Sequence, residues 1–390
     1  MSKLKKLIQE LCPNGVEYKK LGGVCEIRRG ERVVKSQLLN AGSYPVISGG
    51  INPMGYLNAY NRDSETITIA QYGTAGYVSW QTTKFWANDV CYCLYPESVL
   101  NKKYLYYCLK KQQRIIDSMV IKDAIPYHLP LYQLQKVEIP IPPREVQEEI
   151  VRILDHFSLL AAELQAELQA RQAQYEYYRN KLLTFSEGGV RWMRMSEIGT
   201  FIRGNGLQKK DFKERGVPCI HYGQIYTHYK TFTAQTLSYI SSETAKKCKK
   251  AHTGDLIFAS TSENVEDVGK TVAWLGEEDI AISNHTLIFS HNQNPIFLSY
   301  LFQTERFIKY KKTKAVGVKV IDIPQKALEN FCIPIPSMEE QEYIVSILNN
   351  FETLVRDISR GLPAEITAVQ EQYEYYRNKL LSFPSNKVSA

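Results

Sequence analysis

At 390 residues the chain is long enough for two or three domains of about 100 to 200 residues each. Its 44% hydrophobic and 23% charged residues exclude a disordered or fibrous chain. No apolar run nears the roughly 20 residues of a membrane span and MSKLKKLIQELCP lacks a signal-peptide pattern, so a cytoplasmic protein without membrane contact, its eight scattered cysteines reduced, is expected.

Residues 1–142 read as an N-terminal helix followed by a mixed block. Its β-branched and aromatic runs at 65–70 and 89–95 predict strands, and the period of 103–119 predicts a helix. Gly- and Asn-rich loops at 48–52 and 71–76 lie between them. Ser48, Asn52, Gln71, Tyr72 and Thr74 on those loops offer amides, hydroxyls and a ring of the kind that read base edges. Lys84, with Lys102, Lys103, Lys110 and Lys111, is a phosphate candidate. The same loops also read as ordinary solvated turns.

Residues 143–185 predict one long helix, its start set by Pro142-Pro143. Ile150, Leu154, Phe157, Ala161, Leu164, Leu168, Arg171, Tyr175, Tyr178 and Leu182 follow one another at 4,3,4,3 spacing, a heptad seam that only Arg171 interrupts. About 40 residues at ~1.5 Å each make a rod of roughly 60 Å. Within it Ala162 to Gln169 reads AELQ-AELQ, either a length-setting unit or simply good helix surface. The rod ends in QYEYYRNKLL.

Residues 186–336 repeat the mixed block, with strands expected at 255–259 and 285–289 and a helix at 295–311. His221, Tyr222 and Gln224 occupy one polar loop, Thr261, Ser262 and Asn264 another. Lys209, Lys210 and Lys270 are phosphate candidates, as are Lys246, Lys247, Lys249 and Lys250. Residues 337–385 predict a second long helix, with Ser337 and Glu340 as a capping box. Its seam runs Ile344, Leu348, Phe351, Val355, Ile358, Leu362, then stutters to Ile366, where Gly361 and Pro363 kink or interrupt it. Residues 386–390 form a tail.

These blocks are two copies of one unit. QYEYYRNKLL at 174–183 recurs unchanged at 372–381, IPIP at 139–142 recurs at 333–336, and PREVQEEIVRILDHF aligns with SMEEQEYIVSILNNF. Charge separates the roles. Residues 12–142 and 189–336 carry +5 and +6, while 143–185 and 337–385 carry −2 and −4. Two basic bodies joined by acidic rods suit two polyanion-binding modules. A lone amphipathic helix would leave its seam in water, so the rods should pack on each other, antiparallel. The expected fold class is therefore α+β: two globular mixed α/β domains separated by two long antiparallel coiled-coil helices, related by a pseudo-two-fold repeat. Tyr175, Tyr178, Arg179, Tyr373, Tyr376 and Arg377 at the rod ends form either a partner surface or packing between the rods.

The duplicated plan, the IPIPPREVQEEIVRIL and IPIPSMEEQEYIVSIL boundaries, the closing YEYYRNKLL and the tandem AELQ together resemble the specificity (S) subunit of type I restriction–modification systems, over essentially the whole chain. The resemblance implies two target-recognition domains that read the halves of an interrupted double-stranded DNA sequence. It implies helices that set the spacer and dock two methyltransferase (M) subunits, with restriction (R) subunits joining through them. S-adenosylmethionine, ATP and Mg then belong to partner subunits, and this chain carries no cofactor, no metal and no catalytic residue.

The residues support a non-catalytic reading independently. The nearest string to a base-flipping (N/D)PP(Y/F) loop, Asn52-Pro53-Met54-Gly55-Tyr56, lacks the second proline, and no GxxxxGK(S/T) occurs. Glu263, Glu266 and Asp267 sit beside Lys270 like an ordinary solvated loop, and the seven histidines have no zinc-site spacing. A stand-alone two-lobed architectural or regulatory DNA-binding protein would share the charge pattern, and a self-sufficient methylating or restriction enzyme is a further alternative.

Overall fold

The computed structural model describes residues 3–123, 125–186, 188–357 and 360–386. Two compact units emerge, Met1–Gln165 with Glu365–Ala390, and Ala166–Ala364. The chain passes from the first to the second in mid-helix, between the two AELQ copies, and returns just after Pro363.

Each unit is built on the same antiparallel sheet. In the first, the strand order is Cys25–Arg29, Cys91–Pro96, Thr66–Ala70, Val78–Gln81. In the second it is Gly199–Arg203, Thr286–His291, Leu256–Ala259, Thr271–Trp274, with Phe232–Thr233 added parallel at the edge. Thr66–Ala70 and Leu256–Ala259 are buried along their whole length, as central strands covered on both faces should be. A smaller sheet completes each body: Tyr44–Ile47 between Tyr56–Leu57 and Trp86–Ala87 in the first, and four strands around Val217–Ile220 and Ile280–Ile282 in the second.

The expected helices at 103–119 and 295–311 are each two helices. Lys102–Lys111 and Gln113–Ser118 meet at Gln112; Pro295–Leu301 and Glu305–Lys314 are separated where the Thr304 side chain caps a fresh N-terminus. Periodicity carries across a one-turn interruption, so the sequence shows the face but hides the break. Asn101 and Asn294 cap the leading helices, each side chain accepting from two backbone N–H groups.

The first long helix, Arg144–Leu182, runs unbroken for 39 residues. Its seam is as expected, with Ile150, Leu154, Leu168 and Tyr175 buried and Phe157, Leu164 and Tyr178 half-buried. The second is not continuous: it is Met338–Arg356 followed by Leu362–Leu380, 19 residues each. Ser337 caps it, its hydroxyl accepting from the Glu340 N–H at 3.2 Å. At Gly361 a Cβ would collide with the Thr353 carbonyl and approach that of Leu354 to 2.6 Å, so only glycine lets the chain fold back onto the preceding turn there. Ile358 of the expected seam lies outside the described residues. Among the described residues no helix is long and apolar enough to cross a membrane.

Short two-stranded ladders join the IPIP segments to the start of each body: Glu17–Lys20 pairs Glu138–Ile141, and Arg191–Arg194 pairs Cys332–Ile335. The C-terminal segment is part of the first unit. Val16 donates to the Pro384 carbonyl at 2.9 Å and accepts from Asn386 N–H at 3.1 Å, while Leu381 and Phe383 join the core with Leu4, Cys12 and Val16. Of the expected tail, Asn386 is thus paired; 387–390 lie outside the described residues.

Candidate nucleic-acid interface

In the first unit, loops 48–52 and 71–76 are laced together backbone to backbone. Thr74 donates to the Gly49 carbonyl from its N–H at 2.7 Å and its hydroxyl at 2.8 Å. A Cβ at Gly73, which has φ +72°, would lie 2.6 Å from that same carbonyl, so both glycines are steric requirements. Ser48 leans inward, accepting from Asn88 Nδ2 at 3.3 Å, whereas Asn52 is exposed. Tyr72 stacks on His128 at 5.7 Å. Gln71 is only 5% exposed, its backbone bridging Val90 and Leu129. That removes Gln71 from the base-reading candidates: it closes the core under the loop. Lys84 belongs to a different group, donating to the Tyr60 hydroxyl at 2.8 Å and lying 3.8 Å from Asp63. Of the other basic candidates here, Lys103 rides over the Trp80 ring, and Lys110 and Lys111 donate to the Val78 and Leu381 carbonyls. Burial pushes all three ammonium groups below their ordinary pKa, the mark of packed side chains, and leaves Lys102 as the exposed one.

In the second unit residues from three separate segments converge, only one of them an expected polar loop. Rings of Phe212, His221, Tyr222 and His285 make a continuous cluster, with centroids 5.8, 4.4 and 5.4 Å apart in that order. His221 caps the short helix Tyr222–Thr227, its Nδ1 accepting from the Gly223 N–H at 3.2 Å. Burial first, then the charges of Lys209 and His285, hold its pKa down, so it is neutral with the proton on Nε2. Lys209 and Lys210 are exposed, and Lys209 lies close enough for its charge to act on His221. Gln224 is used internally, accepting from His221 N–H at 3.0 Å and donating to Ser238 at 2.7 Å. Thr261 and Ser262 are not loop residues: they are 7% and 3% exposed and form a strand against Ile321–Asp322. Asn264 is exposed and shapes its own turn, accepting from the Asp267 N–H at 2.8 Å and donating to its carboxylate at 2.9 Å. Lys270 pairs with Asp267 at 2.6 Å. Burial raises that carboxyl, but the hydrogen bonds from Lys270 and Asn264 outweigh it and hold its pKa low.

Two features escape sequence reasoning. His285 is not the start of a strand; it sits at φ +63°, a left-handed position that puts its ring against Tyr222 while its carbonyl accepts from Ser260 N–H. The segments at 121–128 and 316–322 pair with the candidate loops, through Tyr72 with His128 and through Thr261–Ser262 with Ile321–Asp322. Both have bare apolar tips, with Ile125 95% and Val318 94% exposed. Exposed aliphatics have no periodic signature.

The rod ends divide cleanly by facing. In the second unit Tyr175 is buried, Tyr178 stacks on Phe351 at 5.6 Å, and Arg179 is 8% exposed over the Tyr175 ring. In the first unit Tyr376 stacks on Phe157 at 5.3 Å, Tyr373 meets Tyr107 edge-on, and Arg377 lies over the Tyr373 ring. Phe157 and Phe351 are repeat mates, as are Tyr178 and Tyr376, so one stack is made twice. These six residues serve packing first, and Tyr175 and Arg179 are too buried to present a partner surface. The most outward members of the motif are Tyr177 and Tyr375, 59% and 57% exposed, while Tyr376 is 38% exposed beside its stack.

The family model described as type I restriction modification DNA specificity domain matches residues 13–171 and 188–368. A putative type I restriction enzyme specificity subunit from Haemophilus influenzae is 31% identical over 386 residues, covering 94% of this chain and 96% of its own length. The EcoR124I/EcoR124II specificity subunit from Escherichia coli is 33% identical over 297 residues, 72% of this chain and 71% of that one. In fold, the S subunit from M. genitalium superposes with a TM-score of 0.60 at 16% identity, covering 94% and 96% of the two chains. Twofold family coverage, a full-length relative above 30% identity and two copies of one sheet and one helix stack lead to one conclusion: the chain belongs to the family of type I restriction–modification DNA specificity subunits.

Proposed function

We propose that each unit reads one half of an interrupted double-stranded DNA target, and that the chain is a non-catalytic subunit. Methyl transfer and ATP-driven cleavage then fall to two M subunits docked on the rods and to R subunits joined through them, where S-adenosylmethionine, ATP and Mg act. The observation that carries the reading is the convergence, in the second unit, of Lys209, His221, Tyr222 and His285 from separate segments onto one surface. Phosphate contacts supply affinity and orientation, and side chains at base edges supply discrimination of about 1 to 3 kcal/mol per base pair. Neutral His221 offers Nε2–H to a guanine or thymine acceptor, and the apolar tips at Ile125 and Val318 suit a thymine methyl. In the first unit Asn52, Tyr72 and Thr74 supply the corresponding polar surface. Methylome sequencing of the host with and without the gene tests this directly: one bipartite motif disappears on deletion. Unchanged methylation would defeat the proposal.

Two expectations arise at this surface. Replacing Lys209 and Lys210 together by Ala weakens binding of every duplex by a similar factor and lowers the slope of log K against log salt by about 1 to 2, because each contacted phosphate contributes ~0.9. A salt titration by fluorescence anisotropy checks it, and a changed base preference with an unchanged slope would reassign these lysines to base reading. Tyr177→Ala with Tyr375→Ala weakens M-subunit binding at least tenfold with no fall in the chain's melting temperature, since exposed tyrosines make partner contacts without holding the fold. Co-sedimentation and thermal unfolding read the two effects separately.

A further inference from the structure

A cavity of about 310 Å³ inside the second unit is lined by Arg179, Lys230, Lys270, Lys311 and Arg356, with the Glu266 carboxylate among them; Lys270 pairs with Asp267 at 2.6 Å and Arg356 with Glu352 at 3.4 Å, which leaves Arg179 a buried cation without an ion pair among the described residues. Arg179 is 8% exposed and Lys311 is 4% exposed. Lys230, Lys270 and Glu266 are exposed, so the cavity communicates with solvent. The Arg179 Nε has no hydrogen-bond partner, and no carboxylate among the described residues lies within ion-pair distance of this guanidinium. The hydroxyl of Tyr175, whose ring lies between Arg179 and Arg356 at 5.3 and 5.4 Å, is also unpartnered. Guanidinium cannot shed its proton at any physiological pH, so a buried one without a counter-ion is costly unless something supplies the anion.

We propose that this cavity is an oxyanion site that takes a phosphate group, with Arg179 as its central ligand and Lys311 and Arg356 beside it. Arg179 belongs to the repeated decapeptide, and its mate Arg377 likewise leaves Nε unpartnered beside two lysines, Lys110 and Lys111, whose pKa values it helps to lower. Burial, then the charge of Lys270, pushes Lys311 down to about 8, against the opposing pull of Asp267 and Glu266. Lys311 already donates to the carbonyls of Glu266 and Val268, which hold its ammonium in place and leave its third proton for the ligand.

The test titrates inorganic phosphate into the full chain at ionic strength held constant with chloride, followed by calorimetry and by thermal unfolding. Saturable binding with a Kd below about 1 mM and a rise in melting temperature that chloride does not reproduce are expected. Arg179→Gln should weaken binding at least tenfold. Lys270→Ala, at the exposed rim, should weaken it several-fold while leaving the fold intact, which guards against an Arg179 variant that merely misfolds. No phosphate effect beyond chloride, or equal binding by both variants, overturns the site. A half-site duplex separates the sources of phosphate: competition between 10 mM phosphate and the duplex identifies a DNA backbone phosphate, and its absence a free phosphate or monoester.

Discussion

Deleting Ala166 to Gln169 is expected to leave both half-sites of the DNA target unchanged and to alter only the number of bases between them. The cut removes one AELQ copy from Arg144–Leu182, at the point where the chain passes from one compact unit to the other. Four residues shorten an α-helix by ~6 Å, close to the rise of two base pairs at ~3.4 Å each, and turn it by about 40° beyond a full revolution. The seam survives: Leu168 is lost, but Leu164 is then followed after three residues by Arg171 and after four more by Tyr175, a local overwinding instead of a break. No loop that bears a base-contact candidate is touched. Methylome sequencing of cells carrying the deletion should show the original motif unmethylated and a new one with the same two halves and a spacer shortened by one or two bases. Altered half-site bases would show that these helices do not act as a ruler.

What the sequence reveals best is what repeats locally. The strands at 66–70, 91–96, 256–259 and 286–291, the Ser337 cap and the seam from Ile150 to Leu182 are each written in residues within a few positions of one another, where alternation, capping chemistry or 4,3 spacing leaves a signature. The interface is less legible because its surface is set by tertiary pairing. Thr261 and Ser262 have the composition of a loop, and only their pairing with Ile321–Asp322, some 60 residues on, buries them. Gln71 looks as polar as Asn52 in sequence, yet one closes a core and the other faces solvent. The tyrosines of YEYYRNKLL were legible as important and not by facing, because in a helix a shift of two residues turns a side chain through about 200°. Tyr175 is buried and Tyr177 exposed for that reason alone. The break before Leu362 is legible as a stutter beside Gly361 and Pro363, and the close approach of the Thr353 and Leu354 carbonyls to Gly361 explains why the position needs a glycine.

The largest expected effect on folding comes from Gln341→Ala. Gln341 is fully buried at the start of Met338–Arg356, and its side-chain amide ties three segments together. Its Oε1 accepts from the Asn294 N–H at 3.0 Å, and its Nε2 donates to the Pro336 carbonyl at 3.0 Å and to Gln293 Oε1 at 2.9 Å. Asn294 is the cap of Pro295–Leu301, so the amide sets that helix against the rod. Its repeat mate makes the same joint in the first unit: Gln147 accepts from Asn101 N–H at 2.8 Å and donates to the Val99 and Pro142 carbonyls at 2.9 and 2.8 Å. Truncation to alanine leaves one buried donor and two acceptors unmet and opens a cavity. At about 1 to 3 kcal/mol for each unsatisfied buried group, partly relieved by entering water, a loss of about 3 kcal/mol follows. For a body of this size that is roughly 6 to 12 °C in melting temperature. The damage should be local: hydrogen exchange should lose protection around 294–301 and 338–348 and keep it around 101–111 and 144–154. Gln341→Glu refines the test through its sign with pH. A neutral carboxylic acid can accept from Asn294 and donate to Pro336, whereas a carboxylate cannot donate, and burial raises its pKa above the unfolded value near 4.3. That variant should therefore be closest to wild type below about pH 4 and lose stability, relative to wild type, as pH rises through the raised pKa. A constant deficit across pH would mean that lost packing, and not the hydrogen-bonded joint, accounts for the effect.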